Sequence, residues 1–352
     1  MFAIRFGHGD ARQDSTVRSA ILPRPMILVN ETPFSAVLPS TVLDQERMAA
    51  ALVARVTYSL DLGKKKARLD VAKEQIWQAS HEPLETPHGL MEAELPFMKG
   101  GVDVFLFGSA RTPEAKSATN LEVVLEVGNF TRRALVSGNR IWRKNASSGF
   151  RPSAAAKFVA MPLTLANAFG GRDVWDGLEI PWGENPDGKG FALVEDVVEG
   201  KPLPNLEEPS APLATWNDCP PVCGFGFCSR ANSARFRNGV VLENEQRIVD
   251  VTPRYFNTAY APMVAPVAIA GDRVKVTGMR HEGPLAFEVP AAPFDLHLRF
   301  GKKKVVRTPS IDGIGIEVDE QRLFVSYRFA FRYVVRPLEL RNATLVLRKD
   351  QK

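Results

Sequence analysis

Seven carboxylates, Asp173, Asp176, Glu179, Glu184, Asp187, Glu195 and Asp196, fall in one stretch that also carries Trp175 and Trp182. Two carboxyl groups held about 5 to 10 Å apart are the core of a glycoside hydrolase, and indole rings supply sugar-stacking platforms. Against this stands turn formation, since Asp and Asn beside Gly and Pro make turns, as in Asn185-Pro186-Asp187-Gly188. The turn reading is preferred, and it also covers a calcium set drawn from Asp173, Asp176, Asn185 and Asp187, because EF-hand spacing is absent. Cys219, Cys223 and Cys228 in CPPVCGFGFC raise zinc, yet the spacing is wrong for a zinc knuckle and none of the five histidines is near in sequence. A tight turn with small residues between aromatic neighbours is expected instead. There is no Gly-x-Ser-x-Gly, no phosphate-cradling loop ending in Gly-Lys-Ser/Thr, and the GFGF at 224–227 lacks dinucleotide spacing. No catalytic residue, metal or cofactor is therefore expected, and the chain reads as a non-enzyme.

The elements around these residues are strands. Leu52, Ala54, Val56, Tyr58 and Leu60 alternate with Arg55, Thr57, Ser59 and Asp61. The same period of two returns at Leu121, Val123, Leu125 and Val127, then at Phe294, Leu296, Leu298 and Phe300, and most clearly from Leu323 through Tyr333. Each pattern predicts a half-buried antiparallel strand. Gly63 and Gly301, each followed by three lysines, and the Asp319-Glu320-Gln321 run predict hairpin turns. Helix is expected at 40–51 and, briefly, at 163–168 before Gly170. The fold class is all-β or β-dominated, with antiparallel sandwich or barrel-like regions. A first β region over 1–157 and a second over 236–352 are expected to flank a long connector, 158–235.

That connector is the unusual part. It holds three of the five tryptophans, all three cysteines and the pair Gly170-Gly171, an aromatic content that argues for order rather than disorder. Long ordered loops without periodicity usually serve a function. Trp175, Trp182, Trp216, Phe225 and Phe227, with Asp187 beside them, are the candidate partner-binding residues, because aromatic side chains anchor protein interfaces. The alternative is that they pin the loop to its own body. Edge-strand pairing offers a second route to a partner.

The 352 residues suffice for a full core and for more than one compact unit. Lys and Arg number 45 against 40 for Asp and Glu, and the two lysine triplets lie far apart, so neither nucleic acid nor membrane is an expected partner. The N-terminal MFAIRFGHGDARQDSTVRSA has no apolar h-region, and an odd set of cysteines is no disulfide framework. The expected compartment is the cytoplasm.

Taken in order, NETPF at 30–34, GVDVFLFGSARTP at 101–113, VSGNRIW at 136–142 and MPLTLANAFGGRD at 161–173 resemble a known family. The series continues with NPDGKG at 185–190, LPNLEEP at 203–209, PPVCGFGF at 220–227 and PRYFNTAYAP at 253–262. The family is the bacterial type VI secretion adaptor, or effector chaperone, group known as domain of unknown function twenty-one sixty-nine. Asn139, Leu165, Ala166 and Phe227 depart from its usual pattern. The resemblance implies a cytoplasmic adaptor that holds a secreted effector protein and helps load it onto the spike of VgrG (valine-glycine repeat) and PAAR-like proteins, without catalytic residues. Two other readings remain: a carbohydrate-active enzyme or lectin using the loop acids and tryptophans, and a structural spike or baseplate component.

Overall fold

A computed structural model of the chain describes residues 25–62, 68–145, 149–336 and 339–348. It is β-dominated, with a single short α-helix, Ser233–Gly239, and no closed barrel among the described residues. The largest sheet has eight strands. Its spine runs Ser35–Val37, Arg47–Asp61, Arg322–Val334, Ser310–Glu317, Val102–Phe107 and Val264–Ala265, with Ser40–Val42 and Arg68–Val71 also paired to Arg47–Asp61. All neighbours are antiparallel except Ser310–Glu317 against Val102–Phe107. The β-branched and aromatic residues that set the period of two lie where expected: the whole of Arg322–Val334 pairs with Arg47–Asp61, from Arg47 opposite Val334 to Ser59 opposite Arg322.

A five-stranded sheet (Leu206–Glu207, Phe130–Ser137, Asn120–Val127, Arg273–Thr277, Leu285–Glu288) and a four-stranded sheet (Ile27–Glu31, Arg341–Leu347, Phe294–Phe300, Lys303–Arg307) complete the frame. One continuous core joins the three, with Leu52, Val56 and Tyr327 from the large sheet, Val123, Leu125 and Phe287 from the second and Phe294 and Leu296 from the third. Strands from 1–157 and from 236–352 lie side by side in every one of these sheets. No helix among the described residues is long and apolar enough to cross a membrane.

Three expectations are corrected here. The stretch 40–51 is not helical: Ser40–Val42 and Arg47–Asp61 are strands, and between them Asp44 accepts hydrogen bonds from the backbone N–H groups of Glu46 and Arg47. Its good helix formers are overridden because Met48, Ala50 and Ala51 are buried opposite Tyr333, Phe331 and Ala330. At 163–168 only a single 3-10 turn, Leu165–Asn167, forms. The third correction matters most for function. The long strands are buried on both faces, not one, since Val53, Arg55, Thr57, Phe324, Ser326 and Arg328 are as enclosed as the apolar set opposite them. The Gly301 hairpin is present between Phe294–Phe300 and Lys303–Arg307. The corresponding tip at Gly63 lies outside the described residues, although its flanking strands pair antiparallel.

Candidate protein-docking surface

The second face of the large sheet carries charge, and charge cannot be left dry without partners. Arg55 reaches Glu94 at 2.7 Å, Glu94 also meets Arg328 at 2.6 Å, Arg328 meets Asp312 at 2.9 Å, and Lys99 lies 3.0 Å from Asp312 and 2.9 Å from Asp103. Three cations thus face three anions, five of the six buried and Lys99 nearly so. The Asp103 carboxylate also accepts from the side chains of Asn257 and Thr258 and the backbone N–H groups of Thr258 and Ala259. Burial alone would raise Asp312, but Lys99 and Arg328 hold it below the ordinary carboxylate value. Burial would likewise lower Lys99, yet Asp103, Asp312 and Glu94 keep it raised and charged. The network ties two distant loops, around 94–99 and 257–259, onto the sheet. An aromatic layer of Trp77, Phe105, Phe107 and Phe324 covers the rest of that face.

The connector closes part of this cover. Phe225 is fully buried in the main core with the Arg132 guanidinium 5.7 Å from its ring centroid, and Phe227 packs 4.8 Å from Phe105 and 5.6 Å from Phe107. Gly224 has the Tyr260 ring against it, where a Cβ would lie 2.5 Å from a ring carbon. The small residues of CPPVCGFGFC thus sit among aromatic neighbours, with the Gly224 N–H donating to the Val222 carbonyl. Burial pushes the thiols of Cys223 and Cys228 up to about 12, so both stay protonated. Among the described residues no group of three or more His, Cys, Asp or Glu side chains is placed to hold a metal ion.

A second, smaller core lies under the middle of the connector, built from Trp142, Phe169, Val198, Leu203 and Leu213. Trp182 and Trp216 are half-buried against it, with Trp182 5.6 Å from Phe169 and 5.2 Å from Phe191. Gly170, with φ of 146°, brings the chain so close to Asn185 that a Cβ would sit 2.1 Å from its carbonyl oxygen. Asn185 is buried and donates to the carbonyls of Leu165 and Phe169, so the Asn-Pro-Asp-Gly run is a turn locked from inside. Asp173 is buried too. Its burial would raise it, but the Lys201 ammonium and the N–H groups of Leu193 and Val174 hold it down.

One piece of the connector leaves this packing. Arg172–Trp175 and Leu178–Pro181 form a two-stranded hairpin, closed by Asp176 and Gly177 at φ of 48° and 74°, the positive values that Asp-Gly hairpin turns require. Val174, Trp175 and Leu178 are 59%, 56% and 67% exposed. Asp187 is exposed beside it, 3.9 Å from Arg172. Of the six candidates, then, Trp175 and Asp187 face solvent, Trp182 and Trp216 are half-buried, Phe227 packs on the main core and Phe225 lies within it.

The sequence reading missed a second free hairpin. Among the described residues, Val240–Glu243 and Arg247–Val251 pair only with each other and expose Val241, Leu242, Ile248, Val249 and Val251. The alternation of apolar and polar residues there is short and interrupted by a bulge, which hides the signal. The two hairpins share a root: the helix Ser233–Gly239 runs straight into the second, its Arg237 pairs with Glu184, and Asn232 donates to the Glu184 carbonyl just beyond the first.

The model of a bacterial family described as an uncharacterized conserved protein, DUF2169, matches residues 45–328. The chain belongs to this family. Its matched span takes in the charged face, the connector and both hairpins. No curated protein and no solved structure matches the chain.

Proposed function

We propose that this DUF2169 protein is a non-enzymatic adaptor that holds a secreted effector protein and helps load it onto a type VI secretion spike of VgrG and PAAR-like proteins. The observation that carries the reading is the exposed apolar tip Val174, Trp175 and Leu178, held out from a connector whose other aromatics are packed. A tryptophan kept in water costs solubility unless something covers it, and hot spots are built from such residues. The type VI context of this proposal rests on the resemblance carried by the motifs at 161–173 and 185–190, which lie on and around this hairpin. In this reading the rigid body with its buried ion pairs is the frame, and the two hairpins are the part that meets cargo. The protein works in the cytoplasm and uses no cofactor.

The test is co-purification of the tagged full chain with the products of its neighbouring genes. Retention of an effector or a spike protein, and its loss when Trp175 is replaced by Ala, is the expected result. Retention of neither, with measurable hydrolysis of a glycan by the purified chain, would overturn the reading in favour of an enzyme.

A further inference from the structure

The net charge of this chain is concentrated in one place. Arg299, Lys302, Lys303, Lys304 and Arg307 sit on the hairpin of Phe294–Phe300 with Lys303–Arg307, and no Asp or Glu occurs between residues 296 and 311. These five equal the whole excess of +5, since the other 40 basic residues match the 40 acids. Arg299 lies directly opposite Lys304, a like-charge pair that costs stability in a sheet. Among the described residues none of the five has an ion-pair partner. The Arg299 guanidinium donates to the Gly301 carbonyl and that of Arg307 to the Val306 carbonyl, while the flanking carboxylates Asp295 and Asp312 are taken by Arg348 and Arg328, each at 2.9 Å.

The backbone beside these charges is open. Lys303–Arg307 is the last strand of its four-stranded sheet and, among the described residues, pairs on one side only; Lys303, Lys304, Val306 and Arg307 are exposed. Gly301 donates its N–H to the Leu340 carbonyl, so the odd-numbered residues of Phe294–Phe300 bond toward Arg341–Leu347 and the even-numbered ones toward Lys303–Arg307. Lys304 and Val306, opposite Arg299 and His297, therefore turn their N–H and C=O groups outward. Of these four groups one has a partner among the described residues, the Val306 carbonyl, which accepts from its neighbour Arg307 at 2.9 Å. A row of cations on such an edge repels a second copy of itself and admits an acidic strand. The rings of the hairpin, Phe294 and Phe300, pack inward on Tyr327 and Tyr333, which leaves it none to stack on the bases of a nucleic acid.

We propose that Lys303–Arg307 is a docking edge for an acidic, extended segment of a partner polypeptide, which adds to the sheet through the backbone of Lys304 and Val306 and meets the five cations with its carboxylates. The proposal stands on these residues alone and does not depend on the adaptor reading or on the Trp175 hairpin. It can be tested with the full chain by fluorescence anisotropy at low salt, using a fluorescein-labelled peptide in which six residues alternate glutamate and valine. Saturable binding is expected, and the peptide with lysine in place of glutamate should not bind. Methylating all six backbone nitrogens keeps every charge but removes the strand-pairing donors, and should weaken binding about tenfold, the scale of one or two net hydrogen bonds. Val306→Pro removes an outward N–H that takes no part in the sheet and should have a similar effect, whereas Lys303→Glu combined with Lys304→Glu should abolish binding. Circular dichroism melts show whether the variants fold, and the methylated peptide reads the same backbone contact on the parent chain. Three results would overturn the assignment. They are no saturable binding, equal affinity of the methylated and unmethylated peptides, and displacement of the peptide by a thymidine decamer or by phosphatidylserine vesicles at a lower concentration than unlabelled peptide requires.

Discussion

Phe225 and Trp175 belong to the same connector, share the company of Gly, Pro and acidic residues, and end in opposite environments. Phe225 is fully buried under the Arg132 guanidinium, at the edge of a layer clamped over the charged face of the large sheet. Trp175 stands in a hairpin that, among the described residues, pairs only with itself, and is 56% exposed. The difference lies in what each finds far away in sequence. The chain around Phe225 runs to 257–259, where Asp103 collects four donor groups, so that end is drawn inward. The 172–181 end has a tight turn of its own, and among the described residues nothing packs on its tip. Aromatic content decides that a loop is ordered, and remote partners decide which way each ring faces.

The clamped end is expected to give the largest effects when broken. Arg328→Ala leaves Asp312 and Glu94 short of a cation in a dry site and should destabilise the fold by about 3 to 5 kcal/mol, read as a lower urea midpoint with an unchanged slope. A loss under about 1 kcal/mol would mean that water reaches this face and the network is not a clamp. Phe225→Ala removes a fully buried ring and should cost a similar ~3 to 5 kcal/mol, again on folding; a near-wild-type melt would place Phe225 outside the core.

Acid sharpens the same contrast. Glu317 is buried, which alone would raise it, but His88, Arg322 and the Trp77 indole N–H bring it down to about 2. Its folded value is thus below its unfolded one, so its stabilising contribution is complete above the ordinary value of 4.5 and is lost as pH falls from there toward about 2. Asp312, lowered by Lys99 and Arg328, has the same sign. The urea midpoint should therefore fall across that window, and Glu317→Gln should flatten the fall. Parallel curves for the two chains would assign the acid sensitivity to other carboxylates.

Much of the frame was legible in the chain. Alternation at Leu52, Ala54 and Val56 and at Leu323, Val325 and Tyr327 placed the two longest strands, and Gly301 placed a hairpin tip. Alternation also misled, because Arg55 and Arg328 look like a solvent face when their partners Glu94 and Asp312 lie more than two hundred residues apart in the chain. No local pattern announces a buried ion pair made by long-range contacts. The helix expected at 40–51 failed for a related cause, since pairing with Ala330, Phe331 and Tyr333 outweighed local propensity. Of the candidate surface, the Asp176-Gly177 turn was readable as a turn, whereas the burial of Phe225 and the exposure of Val241 and Ile248 depended on neighbours that the sequence does not name.

The central claim, that the connector's free hairpin is the docking surface, is tested most directly by Trp175→Ala measured twice, once for folding and once for cargo. The thermal midpoint should stay at the parent value, since a half-exposed tip residue contributes little to stability. Binding of the effector or spike protein retained by the parent should weaken by about 2 kcal/mol, roughly thirtyfold. A variant that binds that protein as tightly as the parent does would contradict the account and move the docking surface elsewhere on the molecule.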